Sequence, residues 1–144
     1  MIAPDDFALF ESLRLGEGLR LEPYRDSTGK LTVGYGHNLD DLGISEETAT
    51  FMLGEDAERA WGDAIRAFEW FEHIPDDAQR VLVELVFNMG LRKVRGFRRM
   101  LAALSTGDLR TGAAELQDSL WFRQVGSRGP RLVAKLAYPS ATAG

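Results

Sequence analysis

Twelve residues, Tyr24 to Tyr35, interrupt a chain otherwise written in helical periodicity, and they constrain the fold more than any other feature. Ser27-Thr28-Gly29-Lys30 is turn chemistry between short segments rich in β-branched and aromatic residues, which predicts a β-hairpin. Before it, Phe7, Phe10 and Leu13 share one face of a first helix from about Asp6 to Glu17, with Asp5 or Asp6 as N-cap and Gly18 as stop. After it, Ser45 caps a long amphipathic helix that carries Met52, Leu53, Ala57, Ala60, Trp61, Ala64, Ile65 and Phe68 on its apolar side. Asp76 and Asp77 open another that ends at Gly90, and shorter helices are expected around Phe97 to Leu104, Asp108 to Leu120 and Arg131 to Leu136.

The pattern predicts an α+β, mostly α chain forming a single domain. A small hairpin lobe, about 18–44, is joined by the long helix to a helical lobe made from 1–17 and 45–137, with 138–144 a frayed tail. At 144 residues the chain is long enough to bury a core, and with no cysteine it must hold itself by packing. Its first residues lack the basic and apolar regions of a signal peptide, and Glu84 breaks the strongest apolar run, Val81 to Phe87, so neither a signal nor a membrane span is expected. The net charge of -5 argues against nucleic acid. That charge is uneven: acids concentrate from Asp40 to Asp77, while the C-terminal half is basic, which leaves room for an anionic polymer as partner.

Two carboxylates and a hydroxyl carry the chemistry: Glu17, Asp26 nine residues on, and Thr32 six beyond that. Gly29 is the midpoint of Asp26 and Thr32, so a three- or five-residue loop centred on it would set the two opposite each other on one hairpin face. Glu17 stands in the last turn of its helix, where the negative end of the macrodipole disfavours an ionised carboxylate, although a nearby Arg would oppose this. Two carboxyls in unlike surroundings are what a glycosidase needs on either side of the scissile bond. The bland alternative is a pair of solvated surface charges among 22 acidic residues.

The run Glu17-Gly-Leu-Arg-Leu, then Tyr24-Arg-Asp26, Gly29 and Thr32-Val-Gly-Tyr-Gly-His37, resembles the signature of the phage-type lysozymes, the endolysin muramidases of glycoside hydrolase family twenty-four. The likeness continues through Ser45, Asp56, Val86-Phe87-Asn88-Met89-Gly90, Gly96-Phe97, Trp121-Phe122 and Arg128. It implies a lysozyme-like fold and hydrolysis, with inversion, of the β-1,4 bond between N-acetylmuramic acid and N-acetylglucosamine in peptidoglycan, leading to cell lysis. It implies that Glu17 is the general acid, that Asp26 positions or activates the attacking water, and that Thr32 helps hold that water. Phe87, Asn88 and Arg128 are implied as substrate-binding residues, with Arg128 approaching the catalytic Glu, and His37 with Asp56 as a structural ion pair. No metal or cofactor is expected. The partner is the glycan strand, the protein is expected to be a monomer made in the bacterial host cytoplasm, and it would reach the wall by holin-type release.

The chain departs from the family in places. Only seven residues separate His37 from Ser45, which implies a reduced β lobe and a more open cleft. Met100 and Glu115 occupy two sugar-contact positions without the usual side chains, and the acidic balance weakens attraction to an anionic wall. Two rivals follow: a lytic transglycosylase, which would leave anhydro products, and a lysozyme-like module that binds peptidoglycan without cutting it. Gly34-Tyr-Gly36 lacks the third glycine and the strand-to-helix setting of a dinucleotide site. Trp61, Trp70, Phe71, Trp121 and Phe122, at helical spacing, read as core before they read as sugar platforms.

Overall fold

A computed structural model describes residues 1–140. Met1–Phe51 form one compact unit and the chain from Met52 onward a second.

The first unit opens with α1 (Phe7–Glu17). The Asp6 side chain accepts from the Leu9 N–H at 2.9 Å, and Gly18, at φ +71°, ends the helix. Three antiparallel strands follow in the order β1 (Arg20–Arg25), β2 (Leu31–Gly34) and β3 (His37–Asn38). The expected hairpin is therefore the first two strands of a small sheet. Between β2 and β3, Gly34 and Gly36 stand at φ +70° and +72°, a conformation other residues adopt only under strain. Asn38 caps a single-turn helix, α2 (Leu39–Leu42).

The hairpin register corrects one expectation. Tyr24 pairs with Thr32 and Arg25 with Leu31, so the loop is centred on Thr28, one residue before Gly29. Asp26 and Thr32 are therefore diagonal neighbours on one face and not directly opposed. Gly29, at φ +82°, closes a turn in which its N–H donates to the Asp26 carbonyl at 2.9 Å, the three-residue loop with a glycine bulge that favours a tight right-twisted hairpin.

The Ser45 hydroxyl accepts from the Thr48 N–H at 3.1 Å, opening α3 (Glu46–Ala67). The second unit continues with a 3-10 turn (Phe71–His73) and α4 (Asp76–Met89), which Gly90 terminates. There follow α5 (Leu91–Val94), α6 (Arg98–Ser105), α7 (Leu109–Gln117), α8 (Leu120–Gln124) and α9 (Arg128–Ala137). The helix expected over Asp108 to Leu120 stops at Gln117, and beyond it the Ser119 hydroxyl accepts from the Phe122 N–H and starts a separate short helix. The last helix begins three residues earlier than expected, placing Arg128 in its first turn. Ser140 donates its N–H to the Asp77 carboxylate, so 138–140 are tethered where a frayed end was expected; residues 141–144 lie outside the described residues.

The core sits wholly in this second unit. Val81, Leu82, Leu85 and Val86 of α4 pack with Leu104, Leu116, Leu132 and Leu136, all essentially inaccessible. Trp70 and Phe122 lie against it, whereas Trp61 is 49% exposed and belongs to the surface.

Candidate active site

Asp26 sits at the first corner of the β1–β2 turn. Its Oδ1 accepts three hydrogen bonds, from the Thr28 N–H at 2.8 Å, the Thr28 hydroxyl at 2.7 Å and the Lys30 N–H at 2.9 Å. These bonds exist because a short acidic side chain entering a turn reaches the backbone donors two and four residues on. They hold the Asp26 carboxyl below its ordinary range, the Thr28 hydroxyl contributing most and the Lys30 N–H next. The group is an anion with a fixed orientation, one oxygen saturated and the other free of the turn.

Thr32 is the one buried side chain of the first unit among the described residues, at 3% exposure. Its hydroxyl donates to the Lys30 carbonyl at 2.8 Å, so its oxygen faces its surroundings as an acceptor only. Lys30 thus links the pair, giving its N–H to Asp26 and its C=O to Thr32.

Glu17, exposed, is the last residue of α1, and its side chain rests on the β2–β3 turn. A Cβ at Gly36 would stand 2.8 Å from the Glu17 carboxyl carbon and closer still to Oε2. Glycine is therefore required there twice, for its positive φ and for the space it leaves. Glu17 meets the turn that follows β2 and Asp26 stands in the turn that precedes it, so the four residues of β2 separate the two turns. The Arg14 guanidinium, one helical turn back, lies 5.7 Å from the centre of the Tyr35 ring and 3.3 Å from Glu11.

His37, implied as half of an ion pair, places its Nε2 2.5 Å from the Gly43 carbonyl, while Asp56 bonds Arg59 at 2.8 Å. Leu31 N–H donates to Asp40 at 2.8 Å and Lys30 Nζ pairs with Asp41 at 3.0 Å, so the acids of α2 tie down the start of β2.

In the second unit, Phe87 and Arg128 line a hollow of about 750 Å³ together with Trp61, Val83 and Glu84. Phe87 is 43% exposed, in keeping with an apolar platform. Asn88, exposed, accepts from the Trp121 indole with its Oδ1 at 2.8 Å and so orients that ring, while its amide nitrogen, among the described residues, stays free for a further partner. Arg128 Nε lies 3.9 Å from Glu84 Oε1, and Arg131 bonds the same carboxylate at 2.5 Å. Glu84 went unnoticed in the sequence, where it figured only as a break in an apolar run; its position one turn before Phe87 on α4 was the available signal. Met100, 1% exposed, is part of the core.

Residues 15–136 match the family described as Phage lysozyme. The chain is 30% identical over 118 residues to an endolysin of Acyrthosiphon pisum secondary endosymbiont phage 1, covering 79% of this chain and 78% of that protein. It is 26% identical over 156 residues to the pre-baseplate central spike protein Gp5 of Enterobacteria phage T4, covering 88% of this chain and 27% of that one. Against the peptidoglycan hydrolase gp36 of Pseudomonas phage phiKMV it is 25% identical over 143 residues, covering 95% of this chain and 16% of the other. The chain thus spans 27% and 16% of the length of these last two relatives.

Proposed function

Because the chain belongs to the phage lysozyme family, we propose that it lyses bacterial cell walls by hydrolysing the β-1,4 bond between N-acetylmuramic acid and N-acetylglucosamine of peptidoglycan, with inversion. The observation that carries this reading is the division of labour around β2. One carboxyl, Asp26, is held as an anion by three donors; the other, Glu17, is exposed at a helix C-terminus and accepts no such bond among the described residues.

The roles follow from hydrogen-bond polarity. Asp26 Oδ2 accepts, and Thr32 Oγ1 accepts because its own proton is spent on the Lys30 carbonyl. A water between them donates both of its protons and is left with a lone pair aimed outward at the anomeric carbon. As that carbon is attacked, Asp26 takes a proton from the water and Glu17 gives one to the departing glycosidic oxygen. Attack by water from the face opposite the leaving group inverts the centre in a single displacement. It requires the carboxyls to stand roughly 6.5–9.5 Å apart, with room for the water, and the strand interposed between the two turns favours separation over contact. Phe87 and Arg128 are assigned to the sugar-binding surface of the second unit. The same reading has the protein act as a monomer, made in the host cytosol and reaching the wall through a holin-type pore.

Glu17→Gln tests the reading. Turbidity loss of purified sacculi is expected to fall by at least about 10²–10⁴-fold, the usual worth of a positioned proton donor. Undiminished lysis by that variant sinks the mechanism. Products of the wild type carry a reducing end one water heavier than their anhydro counterparts; anhydro muropeptides in the mass spectrum would mean transglycosylation.

A further inference from the structure

The third strand of the small sheet stops short. β3 pairs Asn38 with Thr32 and His37 with Val33, so one further step of that register would set Leu39 against Leu31. The chain enters α2 at Leu39 instead. The acceptor that a longer β3 would have offered the Leu31 N–H is replaced by a side chain, because Asp40 Oδ2 accepts from it at 2.8 Å. The turn that carries Asp40 is itself fastened. Asn38 accepts from the Asp41 N–H at 3.0 Å and donates to the Asp41 carboxylate at 2.9 Å, and Lys30 Nζ reaches that carboxylate at 3.0 Å. Arg25, whose guanidinium donates to the Gly29 carbonyl at 3.1 Å, stands 3.7 Å from Asp40.

The N–H that Asp40 binds belongs to the peptide group joining Lys30 to Leu31. At the other end of that group, the Lys30 carbonyl accepts from the Asp26 N–H at 2.9 Å and from the Thr32 hydroxyl at 2.8 Å. A trans peptide is planar, so a hold on its N–H fixes the direction in which its C=O points. A carboxylate bound to the N–H also polarises the group and strengthens the carbonyl as an acceptor. We propose that Asp40 is a positioning residue for the attacking water, acting through this one peptide plane. It keeps the Thr32 proton on the Lys30 carbonyl, and so keeps the Thr32 oxygen an acceptor. The inference rests on the muramidase reading, in which that water lies between Asp26 and Thr32. Without Asp40 the peptide is free to tilt and the Thr32 hydroxyl can turn its proton toward the water, where a donor then meets a donor.

The test measures cleavage of soluble peptidoglycan fragments by the wild type, Asp40→Ala, Asp40→Asn, Thr32→Val and the Thr32→Val/Asp40→Ala double variant. Asp40→Ala is expected to lower kcat roughly tenfold at unchanged KM. Asp40→Asn loses the charge beside Arg25 but keeps an oxygen for the Leu31 N–H, and should recover most of that loss. In Thr32→Val, which has no hydroxyl to orient, adding Asp40→Ala should lower kcat no further. By NMR, the Leu31 amide proton should exchange with solvent faster in Asp40→Ala than in Asp40→Asn. A wild-type kcat in Asp40→Ala, an equally low one in Asp40→Asn, or a loss that multiplies in full with that of Thr32→Val overturns the proposal. Should Thr32→Val fail to fold, the comparison of Ala with Asn at position 40 decides alone. Glu17→Gln, assayed beside them, keeps the two readings apart. Undiminished cleavage by that variant ends the muramidase reading and this inference with it, whereas an inactive Glu17→Gln beside a fully active Asp40→Ala ends this inference alone.

Discussion

The two units of this chain are held together by different physics. From Met52 onward, helices bury a continuous apolar core around Val81, Leu82 and Leu85. In Met1–Phe51 the single buried side chain among the described residues is a threonine, and local hydrogen bonds do the ordering: Asp6 at the helix start, Asp26 in the turn, Asn38 at α2 and Asp40 at β2. The charges divide the same way. Residues 1–51 carry ten acids against four Lys and Arg, while residues 85–140 carry three acids against ten. Every residue assigned to the chemical step lies in the unit without a core. Backbone and side-chain donors can fix a carboxylate to within a few tenths of an ångström over a four-residue turn, which packing alone does less directly.

The largest expected effect that sharpens this contrast is Glu17→Gln, with lysis lost and the melting temperature unchanged within a degree or so, since no core contact is touched. Gly36→Ala comes next. Its methyl would collide with the Glu17 carboxyl and force an alanine to φ +72°. A displaced proton donor costs about 10²-fold in turnover, with only about 1–2 kcal/mol of stability from the strained backbone, measurable by lysis assay and denaturant unfolding side by side. Normal activity in Gly36→Ala would mean that Glu17 need not rest on this turn.

Leu85→Ala attacks the other unit and should reverse the ratio. Removing a side chain with no exposed surface costs about 2–5 kcal/mol, read from the urea midpoint, while the turnover of molecules still folded at low temperature stays near normal. An activity loss larger than the unfolded fraction would break the separation of chemistry from stability.

The same contrast explains what could be read from the sequence. Elements of ten residues or more announced themselves: α1 between Asp6 and Gly18, and α4 between Asp76 and Gly90, match the expected limits to about a residue. The misses are short. The two residues of β3, the single turns of α2 and α5, and the break at Ser119 are below the window in which periodicity means anything. The hairpin was legible as a hairpin, but its register was not, because midpoint counting cannot tell whether the glycine sits at the centre of a loop or one residue past it. For the site, Glu17, Asp26 and Thr32 were legible mainly through family resemblance, since a Glu, an Asp and a Thr at that spacing are individually ordinary. The bond from Trp121 to Asn88 could not be read from the sequence, because nothing local reveals a partner 33 residues away. Glu84 was hidden for the same reason: its partners Arg128 and Arg131 lie on another helix.

The smallest predicted effect probes the turn itself. The Asp26 carboxyl titrates below the ordinary value of 3.8, chiefly because the Thr28 hydroxyl donates to it. A depressed folded value means that the ionised turn contributes its stabilisation in full above the unfolded value and loses it only as pH falls through the lowered one. Between those two values an ordinary surface aspartate is already protonated while Asp26 still holds its three donors, so acid should silence exposed carboxylates before it loosens this loop. Thr28→Val removes the leading cause and keeps the shape of the side chain. The carboxyl carbon resonance of Asp26, followed by NMR through an acid titration, should then move its midpoint upward toward 3.8, whereas Asp77 and Asp108, lowered by Ser140 and Thr111 respectively, should not move. An Asp26 midpoint unaffected by Thr28→Val would show that the backbone N–H groups alone set the anion, and that the hydroxyl serves only to shape the loop.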